Sequence, residues 1–204
     1  MSAVIDHASG TTGFEGGFAD PAREGARAFR VVLDALAKPG RIATLSGGTA
    51  PSGLSPAAAT LLLTLADGET PLWIAPRSEE AALAAWIVFH TGAPRTSTPG
   101  SATFALGPWE SLLPLTQWPQ GTPDYPDGGI TLIVEVPSLT GGPALRLTGP
   151  GIDGAIIIAP DLPEGSADIL SRRAAFPLGV DLILVAGDRI LGLPRSTSVE
   201  REAG

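Results

Sequence analysis

The sequence contains no cysteine. Disulfide bonds, thiolate zinc sites, iron–sulfur clusters and a cysteine nucleophile are therefore excluded. Histidine is almost as scarce, with two residues in the chain, and neither has a recognisable acid–base partner nearby in sequence. The Asp and Glu residues show no metal-ligand spacing. The sequence therefore predicts no catalytic, cofactor-binding or metal-binding site.

Positive charge is also limited. The formal net charge is −8, which argues against a general nucleic-acid binder because such proteins need a basic surface. Charged residues make up 17% of the chain, below the typical share of about 25%. This shortage favours a protein that keeps part of its surface under a partner. Lys38 is the single lysine, beside twelve arginines.

Long apolar runs are missing. No stretch approaches the roughly 20 apolar residues of a membrane span. The first ten residues, MSAVIDHASG, lack the basic region and the apolar core of a secretory signal. We therefore expect a cytoplasmic protein without a membrane partner.

The length of 204 residues and the 44% hydrophobic content predict one α/β domain with a substantial core. Residues 1–18 are polar and rich in glycine. They are predicted to form a flexible or docked N-terminal arm, with Phe14 and Phe18 as its anchors. Residues 19–204 then form the single domain.

Short apolar runs bounded by Gly or Pro predict strands. The predicted strands are Ile42–Leu45, Pro71–Ala75, Ala102–Leu106, Thr131–Val136, Leu145–Leu147, Ile156–Ala159, Val180–Val185 and Ile190–Leu193. Val180–Val185 is apolar at every position but Asp181, which predicts a central strand that is covered on both faces. Gly187-Asp188 predicts a hairpin turn after it.

Capping signals predict three helices. Asp20-Pro21 and Ser55-Pro56 place a capping side chain before a proline, and Ser78 is predicted to cap the third helix. A fourth helix is expected within residues 162–176. The alternation of helices and strands predicts a layered α/β sandwich with a mixed sheet.

Two features of these segments bear on packing. In the first helix one face carries Ala26, Phe29, Leu33 and Leu36, which predicts the buried side. Residues 107–129 form an irregular segment with four prolines between Pro114 and Pro126 and three large aromatic residues: Trp109, Trp118 and Tyr125. A loop of this length is often functional, and we expect it to lie on the surface and to pack through its aromatic side chains.

The best candidate for contact with an anion or a partner is Arg195. It follows a strand and precedes the hydroxyl residues Ser196 and Thr197, a combination that suits phosphate or phosphonate oxygens. The alternative is a structural or interface arginine. Arg146 and His90 complete the candidate set, although the position of His90 near a helix end is also explained by the helix dipole.

Several segments resemble the PhnH family of phosphonate metabolism. They include FRVVLDALAKPG, LRLTGPGI, FPLGVDLIL and LPRSTSV, in that order over residues 20–200. The resemblance implies an accessory subunit of the bacterial carbon–phosphorus lyase core complex. In that family the complex has three partner subunits and forms ribose 1-methylphosphonate 5-triphosphate from ATP and methylphosphonate. The resemblance also implies a homodimer when the protein is isolated.

The same resemblance implies a fold like the large domain of pyridoxal-phosphate-dependent transferases, without the cofactor. A Schiff base would need a lysine, and Lys38 lies at a predicted helix end directly before Pro39-Gly40. We therefore expect no cofactor and no catalysis by this chain alone. Two other functions stay open: a stand-alone anion-handling transferase that uses Arg195, Arg146 and His90, and a binding module for phosphonates or nucleotides.

Overall fold

The computed structural model describes residues 14–173 and 176–202. This part of the chain contains four α-helices and nine β-strands. The helices are α1 (Pro21–Ala37), α2 (Pro56–Leu65), α3 (Glu80–Thr91) and α4 (Ser166–Ser171). The strands are β1 (Ile42–Thr44), β2 (Leu72–Ile74), β3 (Phe104–Pro108), β4 (Thr131–Glu135), β5 (Leu145–Thr148), β6 (Ile156–Ile158), β7 (Asp181–Ala186), β8 (Arg189–Leu193) and β9 (Ser198–Arg201).

Six strands form the central sheet in the order β1-β8-β7-β4-β3-β2. The four strands from β7 to β2 are mutually parallel, whereas β8 pairs antiparallel with β7, and β1 pairs antiparallel with β8. The predicted mixed sheet is therefore confirmed. The central place of β7 is confirmed as well, because its four middle residues are buried between two layers, and the hairpin turn joins it to β8.

The molecule has three layers. Helices α1, α2 and α3 cover one face of the central sheet and share one apolar core with it. The other face packs against a small antiparallel sheet, β6-β5-β9, together with α4 and the segment after β3. The sequence did not predict this second sheet, because β9 begins at the last residue of LPRSTS and has only one buried residue in four.

Two predicted helix caps are confirmed and one is wrong. The side chains of Asp20 and Ser55 accept hydrogen bonds from the first turns of α1 and α2. The third helix begins at Glu80, and its N-cap Glu79 makes no side-chain capping bond. Ser78 instead hydrogen-bonds the carboxylate of Glu79, which lowers the pKa of that carboxyl group.

The predicted buried face of α1 is wrong. Phe29 and Leu33 are 46% and 50% exposed, and the residues that face the sheet are Ala28, Val32 and Ala35. The reason is the close approach of α1 to β8: a Cβ added at Gly192 would overlap the carbonyl of Ala35. A helix that lies this near to a strand needs small residues on its inner side, so the larger side chains point outward.

The segment from 107 to 129 is partly internal. It contains three short 3-10 helices, Trp109–Leu112, Leu115–Gln117 and Pro126–Gly128. Trp109 and Trp118 are buried in the core against the small sheet, whereas Tyr125 is 71% exposed. The expectation that the aromatic residues anchor this segment is confirmed for both tryptophans and wrong for Tyr125.

The predicted N-terminal arm is described only from Phe14 onward, so residues 1–13 lie outside the described part, as do residues 174–175 of the predicted fourth helical region. The backbone carbonyl of Glu15 accepts a hydrogen bond from the indole of Trp86 at 2.9 Å, and Gly17 pairs with Thr49. These contacts dock residues 14–18 on the helical layer. Among residues 14–173 and 176–202, none of the four helices combines the length and the apolar character of a membrane-spanning segment.

Candidate functional site

The candidate residues around Arg195 lie at the amino edge of the parallel strands. Asp181 is the first residue of β7 and lies beside Thr131, the first residue of β4. Strand β8 runs antiparallel to β7, so its last residue, Leu193, returns to the same edge beside Leu182. Arg195 follows two residues later. The topology therefore brings a carboxylate, an arginine and the end of the 107–129 segment together.

Arg195 and Asp181 form a multiply hydrogen-bonded ion pair. Nε of Arg195 donates to both carboxylate oxygens at 3.1 Å, and Nη2 donates to Oδ2 at 2.5 Å. The backbone N–H of Arg195 also donates to Oδ1 of Asp181, at 2.7 Å. The two side chains are 12% and 21% exposed. The charge of Arg195 is therefore neutralised inside the protein.

The remaining donors of Arg195 hold the loop before β4. Nη1 donates to the carbonyl of Pro126 at 2.5 Å and Nη2 to the carbonyl of Gly129 at 3.3 Å. A Cβ added at Gly129 would overlap both the guanidinium of Arg195 and the carbonyl of Gly179. Glycine at 129 is thus what lets the loop approach Arg195. These contacts are those of a structural arginine, one of the two alternatives that the sequence left open.

A second arginine, Arg173, lies beside this pair and was not predicted from the sequence. It follows α4, and its guanidinium donates to three backbone carbonyls, those of Leu170, Leu193 and Thr197, at 3.2, 3.3 and 2.6 Å. It makes no salt bridge with any carboxylate in the described part of the chain. Burial lowers the pKa of Arg173 to about 10, and the negative charge of Asp181 offsets only part of this effect.

A cavity of about 500 Å³ opens beside Arg173 and Arg195. Besides the two arginines, its lining consists of Leu170, Ser171, Phe176, Ser196, Thr197, Ser198, Val199 and Glu200. Thr197 is 3% exposed, and its Oγ1 has no hydrogen-bond partner among the described residues. The structure therefore brings together three of the predicted residues, Arg195, Ser196 and Thr197, at one cavity.

The other two predicted residues lie elsewhere. Arg146 is on β5 and faces Glu200 of β9, with 3.6 Å between the charged groups. His90 is in the last turn of α3, in the helical layer. Its Nε2 lies 3.1 Å from the carbonyl of Phe14, and its ring packs on Trp86. His90 thus belongs to the docking of the N-terminal residues rather than to the cavity.

The carboxyl edge of the same parallel strands carries a second buried ion pair, which sequence reasoning missed. Arg77 follows β2 and donates to Glu135, the last residue of β4, at 2.6 and 3.3 Å. The pair adjoins an open cavity of about 420 Å³ that is lined in part by Trp109, Glu110 and Asp161. Their positions in the sequence could have indicated this pair. Both residues come at the ends of predicted strands, and the carboxyl ends of parallel strands meet at one edge of a sheet.

Acidic residues near this edge do not form a metal site. Within residues 14–173 and 176–202, no group of three or more His, Asp or Glu side chains is placed to hold a metal ion.

The GPG turn at residues 149–151 packs closely against two other parts of the chain. Added Cβ atoms at Gly149 and Gly151 would approach the carbonyls of Ser196 and Ala37, respectively. The turn is therefore held against α1 and against the loop that carries Arg195.

Comparisons with known proteins agree on one family. Residues 16–200 match the family model described as bacterial phosphonate metabolism protein (PhnH). The alpha-D-ribose 1-methylphosphonate 5-triphosphate synthase subunit PhnH of Rhizobium meliloti (strain 1021) is 42% identical over 193 residues, which cover 93% of this chain and 96% of that protein. HtxG of Stutzerimonas stutzeri, named as a C-P lyase subunit protein, is 33% identical over 175 residues, 84% of each chain.

Proposed function

Because the chain belongs to the PhnH family of bacterial phosphonate metabolism proteins, we propose that it is an accessory subunit of a carbon–phosphorus lyase core complex. In this role it supports the formation of ribose 1-methylphosphonate 5-triphosphate from ATP and methylphosphonate. The observation that carries the proposal is the match to the Rhizobium meliloti subunit over nearly the whole length of both chains.

The arrangement of the polar residues supports a role without catalysis by this chain alone. Arg195 donates to Asp181 and to two carbonyls, and His90 contacts the Phe14 carbonyl and the Trp86 ring. General acid–base catalysis needs a titratable side chain such as His90 to lie beside a second titratable group. A stand-alone transferase built on Arg195, Arg146 and His90 would also need the three residues close together, whereas they lie on different layers or are already paired.

Co-purification tests this proposal. A tagged form of the chain is produced in its native host during growth on methylphosphonate. It is expected to co-purify with the other subunits of the complex in a fixed ratio. Deletion of the gene is expected to abolish growth on methylphosphonate and to leave growth on inorganic phosphate unchanged. Turnover of ATP and methylphosphonate by the purified chain alone would contradict the accessory role and would favour the stand-alone transferase.

We also propose that the isolated chain forms a homodimer through the outer side of α3. This helix exposes Val88 and Phe89, at 44% and 63%, and Phe14 stacks on Phe89 with 4.8 Å between ring centroids. The alanines at positions 81, 82 and 85 continue the exposed apolar face. A contiguous apolar surface of this kind is typical of an interaction site, and a low content of charge is typical of interface centres.

Light scattering tests the dimer. Phe89→Glu is expected to convert a dimer into a monomer because it places a charge at the centre of the apolar face. Ile157→Glu is the matched control, since Ile157 is an apolar residue of β6 that is 50% exposed and lies on the opposite layer. A wild-type chain that is monomeric at all practical concentrations, or a Phe89→Glu variant that stays dimeric, would rule out this interface.

We further propose that the fold is related to the large domain of pyridoxal-phosphate-dependent transferases without use of the cofactor. Lys38 is the C-cap residue of α1, 46% exposed, and its Nζ donates to Asp34 at 2.6 Å. The surroundings of Lys38 do not fit those of a Schiff-base lysine, which is held in a cleft. Purified protein incubated with pyridoxal phosphate is expected to show no stoichiometric aldimine absorbance; a band that disappears in Lys38→Ala would overturn the proposal.

A further inference from the structure

Helix α1 carries an apolar strip on its outer side. Ala26, Phe29 and Leu33 are spaced by three and four residues, so they lie along one side of the helix, and all three are exposed. Single apolar residues are common on protein surfaces. A strip in which an aromatic side chain and a leucine are one turn apart is different, because a contiguous apolar surface is typical of an interaction site.

A row of arginines runs beside this apolar strip. Arg23, Arg27 and Arg30 are spaced by four and three residues, and all three are exposed. At about 100° per residue, the row lies roughly a quarter turn around α1 from the apolar strip. Both the row and the strip are on the part of the helix that faces away from the central sheet, so together they form one surface, the outer face of α1.

The three arginines of this face have no anionic partner in residues 14–173 and 176–202. None of the salt bridges in that part of the chain includes Arg23, Arg27 or Arg30. Asp34, on the same side of α1, is paired with Lys38 instead. The outer face of α1 is therefore a local row of unpaired positive charge on a chain whose formal net charge is −8.

An aromatic residue bordered by arginines has the composition of a protein–protein interface. Phe and Arg are both enriched in interfaces relative to the rest of the surface, and large side chains at the centre of an interface carry most of the binding energy. Phe29 is suited to be the central anchor of such an interface, and the arginine row is suited to select an acidic partner through complementary charge.

A second copy of this chain does not supply the complementary surface. In a two-fold dimer the same patch meets itself. Two copies of α1 would then set the arginine row against the other arginine row or against the other apolar strip, and neither contains an unpaired carboxylate. A nucleic acid is disfavoured by the net charge of −8. The surface that fits is that of a different, acidic protein.

We propose that the outer face of α1 docks another subunit of the assembly, through a surface on which a row of carboxylates borders an apolar groove. This inference rests on the accessory role proposed above, and it adds the docking surface and the chemistry of the partner. The face is separate from the α3 surface assigned to the homodimer, because α1 contacts α2, which in turn contacts α3.

Competitive assembly in the native host tests the docking face. A variant and the wild type, with different tags, are produced together during growth on methylphosphonate. The complex is purified through another subunit, and mass spectrometry measures the ratio of the two forms. The variant Arg23→Glu/Arg27→Glu/Arg30→Glu is expected to be incorporated about tenfold less than the wild type, because like charges then face each other. Phe29→Ala is expected to reduce incorporation about thirtyfold, the effect of losing an interface hot spot.

Arg201→Glu is the matched control. Arg201 is an exposed arginine of β9, in the small sheet on the other side of the central sheet, and this variant is expected to be incorporated like the wild type. The triple variant is expected to unfold at the same urea concentration as the wild type, because its substitutions are exposed and lie in the first half of α1, where the helix dipole favours negative charge.

Photo-crosslinking identifies the partner. Since the chain has no cysteine, Leu33→Cys provides a single attachment point for a photoreactive reagent on the apolar strip. Irradiation of the assembled complex is expected to link the reagent to a segment of another subunit that is rich in Asp and Glu. Replacement of those carboxylates by Arg is expected to restore incorporation of the triple variant.

The outcomes separate this proposal from the accessory role. A complex from which the wild-type chain itself is absent would contradict the accessory role. A complex that contains the wild type, and takes up the triple variant as well as it takes up Arg201→Glu, would overturn the α1 docking face alone. A crosslink only to a second copy of the chain, or to nucleic acid, would also overturn it.

Discussion

The two edges of the central sheet carry ion pairs of the same chemistry and nearly the same burial. At the amino edge, Arg195 and Asp181 are 12% and 21% exposed, and at the carboxyl edge, Arg77 and Glu135 are 15% and 24% exposed. In both pairs the arginine comes from a loop and the carboxylate from a strand of the parallel part of the sheet. Judged by burial alone, the two pairs would contribute equally to the fold.

Their surroundings differ. Asp181 accepts from the backbone as well as from the side chain of Arg195, and Arg195 also binds two carbonyls of the loop before β4. Arg77 has one additional acceptor, the carbonyl of Gly53 at 3.2 Å, and its Nε is buried with no partner among the described residues. The carboxyl-edge pair also adjoins an open cavity. We therefore expect the number of hydrogen bonds, more than burial, to determine how much each ion pair contributes to stability.

The largest effect is expected at the amino edge. Asp181→Ala removes the anion that neutralises Arg195 and should lower the free energy of unfolding by about 3 kcal/mol, the cost of leaving a buried charge without its partner. Urea denaturation measures the change. The double variant Asp181→Ala/Arg195→Met should recover part of the loss, because it removes the unpaired charge. A double variant less stable than Asp181→Ala would show that the charge is not the cause.

A smaller loss is expected when the loop is pushed away from Arg195. Gly129→Ala places a Cβ where the guanidinium and the carbonyl of Gly179 already lie, and such overpacking costs about 1–3 kcal/mol. Gly128→Ala is the matched control because a Cβ there meets no atom within 4 Å; its effect should stay within about 0.5 kcal/mol. Equal urea midpoints for the two variants would contradict the close approach.

At the carboxyl edge, Glu135→Ala should cost about 1–2 kcal/mol, less than Asp181→Ala. Water in the adjoining cavity can hydrate the remaining Arg77 guanidinium, and no backbone donor loses an acceptor. The same urea experiment measures this difference. If Glu135→Ala proves as costly as Asp181→Ala, burial rather than hydrogen bonding governs both pairs.

The smallest effect concerns Glu79, near the same carboxyl edge. A hydrogen bond from Ser78, aided by the charge of Arg77, lowers the pKa of this exposed carboxyl group. A lowered pKa in the folded state means that the ionised form stabilises the fold above the unfolded-state pKa and that this contribution disappears as the pH falls through the folded-state pKa. Glu79→Gln should therefore be slightly less stable than the wild type at neutral pH and equal to it in acid. A difference that grows on acidification would contradict this assignment.

The sequence predicted those parts of the fold that local chemistry determines. Capping by Asp20 and Ser55 and the central place of β7 follow from a few neighbouring residues, and the structure confirms them. The inner face of α1 was mispredicted because hydrophobic size does not reveal how closely a helix approaches a strand, which here depends on Gly192, more than 150 residues after the helix.

The candidate site shows the same limit. The sequence identified Arg195 and its hydroxyl neighbours but not the partner of Arg195. Asp181 is the one polar residue in an apolar strand, and nothing in the sequence links it to Arg195. Arg173 was missed because it follows an irregular helix end and its acceptors are backbone carbonyls, which carry no sequence signature. Arg77 and Glu135 are 58 residues apart, and only the parallel pairing of β2, β3 and β4 places them together.

The contact between Arg195 and the carbonyl of Pro126 spans 69 residues of chain. During synthesis, the loop before β4 emerges long before the arginine that holds it, so the carbonyls of Pro126 and Gly129 lack this partner until β7, β8 and the turn after them have formed. Contacts of such separation slow folding, and a nascent chain that ends before residue 195 exposes this edge to aggregation or to chaperones. Time-resolved hydrogen exchange during refolding should therefore show protection of the amides of Gly128 and Gly129, in the loop that Arg195 holds, as one of the last events.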